Sequence, residues 1–282
     1  MDTQELKKLI AIWFEEDIRD GDHTSLSCIP ETEMGCQQLI VKEEGIIAGI
    51  EVAKEIVAYF DPECRFEQLL EDGAHVKPGD IAFRVYGKEL SLLQIERTML
   101  NIMQRMSGVA TTANRYQSLI ADTNCHVLDT RKTTPGLRVF EKYAVTCGGG
   151  TNHRMGMYDR VLMKDNHRRL WRGGDPDALD QAVEAARRKY PDLEVEVEVE
   201  SLEECASALK AKPEWIMLDN MSLADMKKCV RMCKGISKTE ASGGITLERA
   251  KEVAATGVTA ISLGCLTHSA GSVDLSLEWR EI

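Results

Sequence analysis

The chain has 282 residues, 43% of them hydrophobic and 29% charged, a globular composition that excludes a disordered, collagen-like or fibrous chain and leaves room for one large or two moderate domains. Its 35 Lys and Arg against 46 Asp and Glu give a formal net charge of -11, which excludes a uniformly basic nucleic-acid binder. No apolar run approaches the ~20 residues that span a bilayer. The opening Met1–Asp17 has helical spacing and no small-residue cleavage site, so it is not a signal peptide, and a cytoplasmic protein without a membrane partner is the expectation. Nine scattered cysteines, an odd count without a C-x-x-C pair, fit reduced buried thiols. Cys229 and Cys233 sit one helical turn apart, where core packing is favoured over a metal site.

In chain order, residues 3–18 place Leu6, Leu9, Ile10, Trp13 and Ile18 on one helical face, with Asp2 and Glu5 as a capping pair. A loop, Asp20-Gly-Asp-His-Thr, follows. Extended runs are expected over 36–41, 45–50, 65–70 and 81–86, with one helix over 51–60 and turn chemistry over 71–80. This first part reads as an α+β sandwich. A long helix from Ser91 to about Ala121 keeps Leu92, Ile95, Met99, Ile102, Met103 and Met106 on one face, a core or subunit seam.

The rhythm then changes to strand–helix alternation. Strands are expected over 125–129, 160–164, 194–199, 215–218, 237–241 and 259–263. Helices are expected over 137–147, 176–190, 202–211, 222–234 and 246–256, and Asp175-Pro176 is a good start for the second of these. Chemically loaded residues follow nearly every strand: Asp129 to Lys132, Lys164 to His167, Glu198 and Glu200, Asp219-Asn220, Ser242 to Gly244, and Gly264. In a (β/α) barrel such positions converge on one mouth.

Residues 131–172 hold ten Lys or Arg against three Asp or Glu, a local reversal of the overall charge that points to an anionic ligand. Arg131, Lys132, Arg138, Arg154 and Lys164 are candidate clamps, whereas Arg168, Arg169 and Arg172 fit a solvated surface. The glycine-rich ends of the last two strands, Ser242-Gly-Gly and Gly264-Cys-Leu-Thr, fit a barrel phosphate site. Glu198 and Asp219 bring carboxylates that can face sugar hydroxyls or Mg²⁺. Along 194–200, glutamate alternates with valine; a barrel core prefers valine except at the open end, so only one or two of these acids are expected to be functional. His153 and His268 are plausible polar contacts at the mouth, while His23, His75 and His126 read as structural.

These segments together resemble one family. Glu96-Arg-Thr-Met-Leu-Asn101 with Ser107-Gly108, Asp129-Thr-Arg-Lys-Thr-Thr-Pro-Gly-Leu-Arg138, Gly148-Gly-Gly-Thr-Asn-His-Arg154, Lys164-Asp-Asn-His167, Glu196-Val-Glu-Val-Glu200, Leu218-Asp-Asn220 and Glu240-Ala-Ser-Gly-Gly-Ile245 run in the order of the quinolinate phosphoribosyltransferase family, with Met157 where the family has leucine. The resemblance implies an N-terminal α+β sandwich domain over 1–112, joined by the returning segment 269–282, and an incomplete (β/α) barrel over 113–268. It implies transfer of phosphoribose from phosphoribosyl pyrophosphate to quinolinate with decarboxylation, giving nicotinate mononucleotide, pyrophosphate and CO₂, with Mg²⁺.

By the same resemblance, the substrate-binding residues are Arg97 (from the partner of a homodimer or an assembly of dimers), Thr130, Arg131, Lys132, His153, Arg154, Lys164, Glu198, Asp219, Ser242, Gly243, Gly244, Gly264 and His268. Lys132, Lys164, Glu198 and Asp219 take the catalytic part, and Glu198 and Asp219 face the metal directly or through substrate and water. The alternatives are a paralogue of the same fold linked to molybdenum transport, a Schiff-base aldolase using Lys132 or Lys164, and an anion-binding module without turnover.

Overall fold

The structure is a computed structural model that describes residues 3–171 and 179–280; Asp2, Arg172 and the helix start at Asp175-Pro176 lie outside the described residues. The chain divides into two compact units, Met1–Asn114 with Pro135–Gly149 and Ser269–Ile282, and Arg115–Thr134 with Gly150–His268. The expected division at 112/113 did not assign 135–149 to the first unit.

The first unit opens with α1 (Thr3–Asp17), which buries Leu6, Ile10 and Phe14. The expected loop at 20–24 instead launches a short helix, α2 (His23–Cys28), because the Asp22 carboxylate accepts the N–H groups of Thr24 and Ser25. Then come β1 (Met34–Val41), β2 (Gly45–Ile46), α3 (Ile50–Phe60), β3 (Arg65–Gln68), β4 (His75–Val76), β5 (Ile81–Lys88) and α4 (Glu89–Leu119). The run expected to stay extended to Ile50 stops early because Gly49 turns the backbone with φ +104° and α3 starts at Ile50. All six apolar residues named for the long helix are buried along α4. On the same helix, the Ser107 and Thr111 hydroxyls accept the Ala48 and Ile46 N–H groups at 3.0 and 2.8 Å. α5 (Arg138–Cys147), expected among the barrel helices, also belongs to this unit.

The second unit holds β6 (His126–Leu128), β7 (Val161–Met163), α6 (Asp165–Leu170), α7 (Leu179–Lys189), β8 (Val195–Val199), α8 (Leu202–Leu209), β9 (Trp215–Asp219), α9 (Leu223–Cys233), β10 (Lys238–Ser242), α10 (Leu247–Ala254), β11 (Ala260–Ser262) and α11 (Cys265–His268). Its six strands are all parallel in the order β6-β11-β10-β9-β8-β7. That is cyclic chain order cut once, between β6 and β7, which is the topology of an incomplete barrel. Thr151 forms a parallel bridge to Leu128 along the free edge of β6. α8 and α9 follow β8 and β9 after loops of two and three residues, capped by Ser201 and Ser222. These short connections put the polar strand ends together. β12 (Leu275–Trp279) returns to the first unit, whose antiparallel sheet has the order β12-β1-β5-β3.

The interior of the parallel sheet departs from the expected valine core at β8. All five of its residues are buried, but the glutamates point inward and the valines take the other face. Glu196 lies 3.5 Å from Arg160 and 3.0 Å from His153, and Glu198 pairs with Lys164. Below them Trp215 fills the far end, with Arg160 and Lys238 at 5.3 and 4.9 Å from its ring. The acids are tolerated because cations from neighbouring strands and loops meet them. Arg168 likewise is not a solvated side chain: it pairs with Glu204 at 2.9 Å. His23, His75 and His126 are exposed. All nine cysteines are free thiols, and Cys205, Cys229 and Cys233 are buried together, with 3.8 Å between the Cys205 and Cys233 sulfurs. Among the described residues no helix is long and apolar enough to cross a membrane.

Candidate active site

At the C-terminal ends of the parallel strands lie two cavities of about 330 and 670 Å³ that share Thr130, Lys132, Lys164, Ser242 and Ser262. The narrower one is lined by Thr130, Arg131 and Lys132 from the end of β6, His153 and Arg154 from the loop before β7, Lys164 at the end of β7, and Ser242 at the end of β10. The wider one adds Glu198, Asp219, Gly243, Gly244, Gly264 and His268. Thirteen of the fourteen site residues expected from the sequence thus gather at one mouth. The fourteenth, Arg97, is exposed on α4 in the first unit.

Local chemistry fixes each contributor. The Thr130 hydroxyl accepts the Lys132 N–H at 3.0 Å, and the Lys132 carbonyl accepts the Thr267 hydroxyl at 2.7 Å, so the segment after β6 is tied at both ends. Fully buried Asp129 accepts the His153 N–H at 2.9 Å and so anchors the loop that carries Arg154. The Arg154 guanidinium donates to the Arg160 carbonyl at 3.1 Å. Burial, then the neighbouring Arg131 charge, lowers the Arg154 pKa, as expected of cations crowded together to receive an anion. Burial raises the Glu198 pKa, against the pull of the Lys164 ammonium beside it.

Two glycines are dictated by space. Gly243 has φ +93°, and a Cβ there would meet Asn220 Oδ1 at 2.2 Å. A Cβ on Gly264 would come within 2.9 Å of Lys132 Cδ and 3.0 Å of His268 Cδ2. Asn220, itself at φ 53°, donates its N–H to the Ser242 carbonyl at 3.0 Å and its side-chain amide to Asp219 at 2.8 Å, which holds the ends of β9 and β10 together. Bare backbone beside the start of α10 suits an anion, because N–H groups and the helix dipole face it.

The sequence reading assigned no role to Glu240, Ser262, Leu162 or Met217, which also line the narrower cavity. Glu240 was legible in principle: it stands two residues before Ser242 on one strand and shares its face. Among the described residues, His153, Glu196 and Glu240 form a buried group whose ligating atoms lie within 4.8 Å of one another.

The chain matches the family described as quinolinate phosphoribosyl transferase in both of its parts, the N-terminal domain over residues 22–107 and the C-terminal domain over 109–278. It is 40% identical over 279 residues to the probable nicotinate-nucleotide pyrophosphorylase (carboxylating) of Bacillus subtilis, covering 99% of this chain and 94% of that protein. A chloroplastic relative of the same name from Arabidopsis thaliana is 38% identical over 292 residues, covering 98% and 83%. Among solved structures, NadC from Streptococcus pyogenes superposes with a TM-score of 0.94 at 34% identity, covering 100% of this chain and 99% of that one. The nicotinate-nucleotide pyrophosphorylase from Francisella tularensis gives 0.93 at 36% identity, covering 99% and 98%.

Proposed function

The chain belongs to the quinolinate phosphoribosyltransferase family, and on that premise we propose how the residues of the sheet mouth divide the family's reaction between them. That reaction joins quinolinate to phosphoribosyl pyrophosphate and releases CO₂, giving nicotinate mononucleotide and pyrophosphate for NAD biosynthesis. The observation that carries the assignment is the gathering of Arg131, Lys132, Arg154 and Lys164 around one cavity of about 330 Å³ in a protein of net charge -11. A dicarboxylate is the ligand such a field selects.

Quinolinate occupies the narrower cavity, its two carboxylates held by Arg131, Lys132 and Arg154, with Lys164 on the border of both cavities. The phosphoribosyl group occupies the wider one. Ser242, Gly243, Gly244 and Gly264 cradle its 5′-phosphate through backbone N–H groups, with His268 beside them. Glu198 and Asp219 face the ribose and oppose the positive charge that develops at its C1 as pyrophosphate leaves. Once alkylated, the ring nitrogen carries a positive charge that stabilises the carbanion left on the adjacent carbon as CO₂ departs; that carbon then takes a proton from water, so no dedicated general base is needed. Positioning and electrostatics supply the rate enhancement.

Mg²⁺ fits this donor set. It takes oxygen ligands, keeps several waters and is usually held by one or two carboxylates with substrate phosphates. Asp219 and Glu198 offer such oxygens in the cavity assigned to the pyrophosphate donor. When bound, the metal neutralises the leaving pyrophosphate. We also assign Arg97 to the site of a second copy of the chain in a homodimer, where its exposed guanidinium adds a cation to the dicarboxylate pocket.

Purified protein supplied with quinolinate, phosphoribosyl pyrophosphate and Mg²⁺ is expected to release CO₂ and nicotinate mononucleotide in equal amounts. Binding of phosphoribosyl pyrophosphate without turnover would leave an anion-binding module in place of the enzyme.

A further inference from the structure

The floor of the narrower cavity contains a buried ionisable group with no part in the mechanism above. Glu196 and Glu240 are both 0% exposed, and His153 Nε2 stands 3.0 Å from the first and 3.4 Å from the second. Glu196 has a second cation, Arg160, at 3.5 Å. Glu240 has no hydrogen bond of good geometry among the described residues; its polar neighbours are His153 and the Ser262 hydroxyl. A buried carboxylate stranded in this way is costly, whereas a carboxylic acid brings its own hydrogen.

The donor set alone would suit a divalent metal. The other ring nitrogen argues against one, because the Arg154 backbone N–H donates to His153 Nδ1 at 2.7 Å. That lone pair is therefore free of a proton, and the ring's hydrogen sits on Nε2, pointing at the glutamates. A protonated Nε2 cannot ligate a metal.

The same hydrogen bond locates the proton of the group. Burial alone would pull the His153 pKa down; Glu196 and Glu240 outweigh it and raise it to about 9. Burial, then Glu196, raises the Glu240 pKa as well. Both directions mean that at neutral pH the group keeps one proton beyond a neutral imidazole and two carboxylates. On the imidazole that proton would lie on Nδ1, where the Arg154 amide already donates. It therefore lies on Glu240. The remaining charges around the group agree: Arg160 answers Glu194 at 2.8 Å and Glu196, and Asp129 is engaged by the His153 N–H.

We propose that Glu240 is a positioning residue that works as a neutral carboxylic acid, holding His153 as the Nε2–H tautomer so that Nδ1 fixes the Arg154 backbone and aims its guanidinium into the dicarboxylate pocket. His153 is then a neutral prop for Arg154, in place of the substrate cation inferred from the sequence. A neutral acid also leaves the floor of the pocket free of a second negative charge that would repel quinolinate. The proposal rests on the narrower cavity being the quinolinate site, but the tautomer is read on the free protein and fails or stands separately from that reading.

The test combines ¹⁵N-histidine labelling with kinetics. Long-range ¹H–¹⁵N correlation at pH 7, with the His153 signal assigned by its loss in His153→Asn, is expected to show one protonated nitrogen, Nε2. Glu240→Ala is expected to lose about tenfold in kcat/KM, mostly through the KM for quinolinate, the scale of leaving a buried hydrogen-bonding group unpartnered. Glu240→Gln, which mimics the acid, is expected to recover to within about threefold of wild type and to keep the Nε2–H tautomer. A doubly protonated His153 in the wild type, or a folded Glu240→Gln as impaired as Glu240→Ala, overturns the proposal. If the alanine variant fails to fold, the wild-type tautomer and the glutamine variant decide.

Discussion

β1 in the first unit and β8 in the second both bury a complete strand face, yet they fill it with opposite chemistry. β1 buries Leu39 and Val41, and its one inward polar side chain, Gln37, is answered by Glu96 at 3.2 Å. The neighbouring strands complete an apolar layer in which the Phe66 and Phe83 rings lie 4.6 Å apart. β8 turns Glu196 and Glu198 inward against His153, Arg160 and Lys164. Burying paired charges contributes little net stability, whereas burying leucine or phenylalanine contributes ~1.5–3 kcal/mol each. The first interior therefore holds its fold together, and the second sacrifices stability to keep charge in place for a ligand.

Substitutions at the mouth should separate activity from stability most sharply. Lys132→Ala is expected to lower kcat/KM by roughly 100-fold or more with little change in melting temperature, the scale of removing one partner of a desolvated charge pair. Arg169→Ala, on exposed α6, should stay within about twofold. If Arg169→Ala proved the more damaging, the mouth would be misassigned.

Substrate choice probes the same charges from the ligand side. Nicotinate lacks one carboxylate and leaves cations that the bound ring desolvates unpaired at ~2–5 kcal/mol, so quinolinate should be preferred by at least about 30-fold in kcat/KM. Similar values for the two acids would remove the dicarboxylate pocket from the account.

Arg97 extends the comparison to a second chain. On the proposed shared site, mixed dimers of Arg97→Ala and Lys132→Ala would carry one intact site and one doubly damaged site. Random exchange makes half of all dimers mixed, so activity should return to about a quarter of wild type. Proven exchange of tagged subunits without recovery would take Arg97 out of the partner's site.

The smallest effect is a slope with pH. His153 and Glu240 are both raised, so above about pH 6.5, where an unfolded histidine releases its proton, the folded group still holds one. Stability from this group is therefore lost as pH rises from there, by roughly 1 kcal/mol per pH unit while the extra proton is held. Glu240→Gln removes the slope. Paired denaturation curves at pH 6.5 and 8.5 should show the variant gaining on wild type, and parallel behaviour would place the proton elsewhere.

Much of this architecture was legible in the sequence because its signals are local. The 3.6-residue stripe of α4 and the strand–helix alternation after it needed no tertiary information. The mouth was legible because loaded residues recur at strand ends, a regularity that survives without knowing how the strands pair. The inward glutamates of β8 were misread because the sequence shows alternation without showing which face is inside. The faces are settled by Arg160 and His153, which come from other segments. α2 and α6 were missed because six residues carry no periodicity and their starts each depend on one side chain, Asp22 in one case and in the other His167, whose Nδ1 accepts the Lys164 N–H at 3.0 Å. Glu240 escaped notice because its neighbours Glu196 and His153 are 44 and 87 positions away in the chain, and burial alone gives it its character.

The contrast between the two interiors is tested most directly by measuring kcat/KM for quinolinate and the unfolding free energy on the same preparations of wild type, Arg154→Ala and Leu39→Ala. Arg154→Ala is expected to lose at least about 30-fold in activity with its stability within ~1 kcal/mol of wild type. Leu39→Ala is expected to lose ~2–5 kcal/mol of stability while each folded molecule stays nearly as active. Activity and stability falling together in both variants would contradict the division of labour between an apolar interior that holds the fold and a charged interior that holds the substrate.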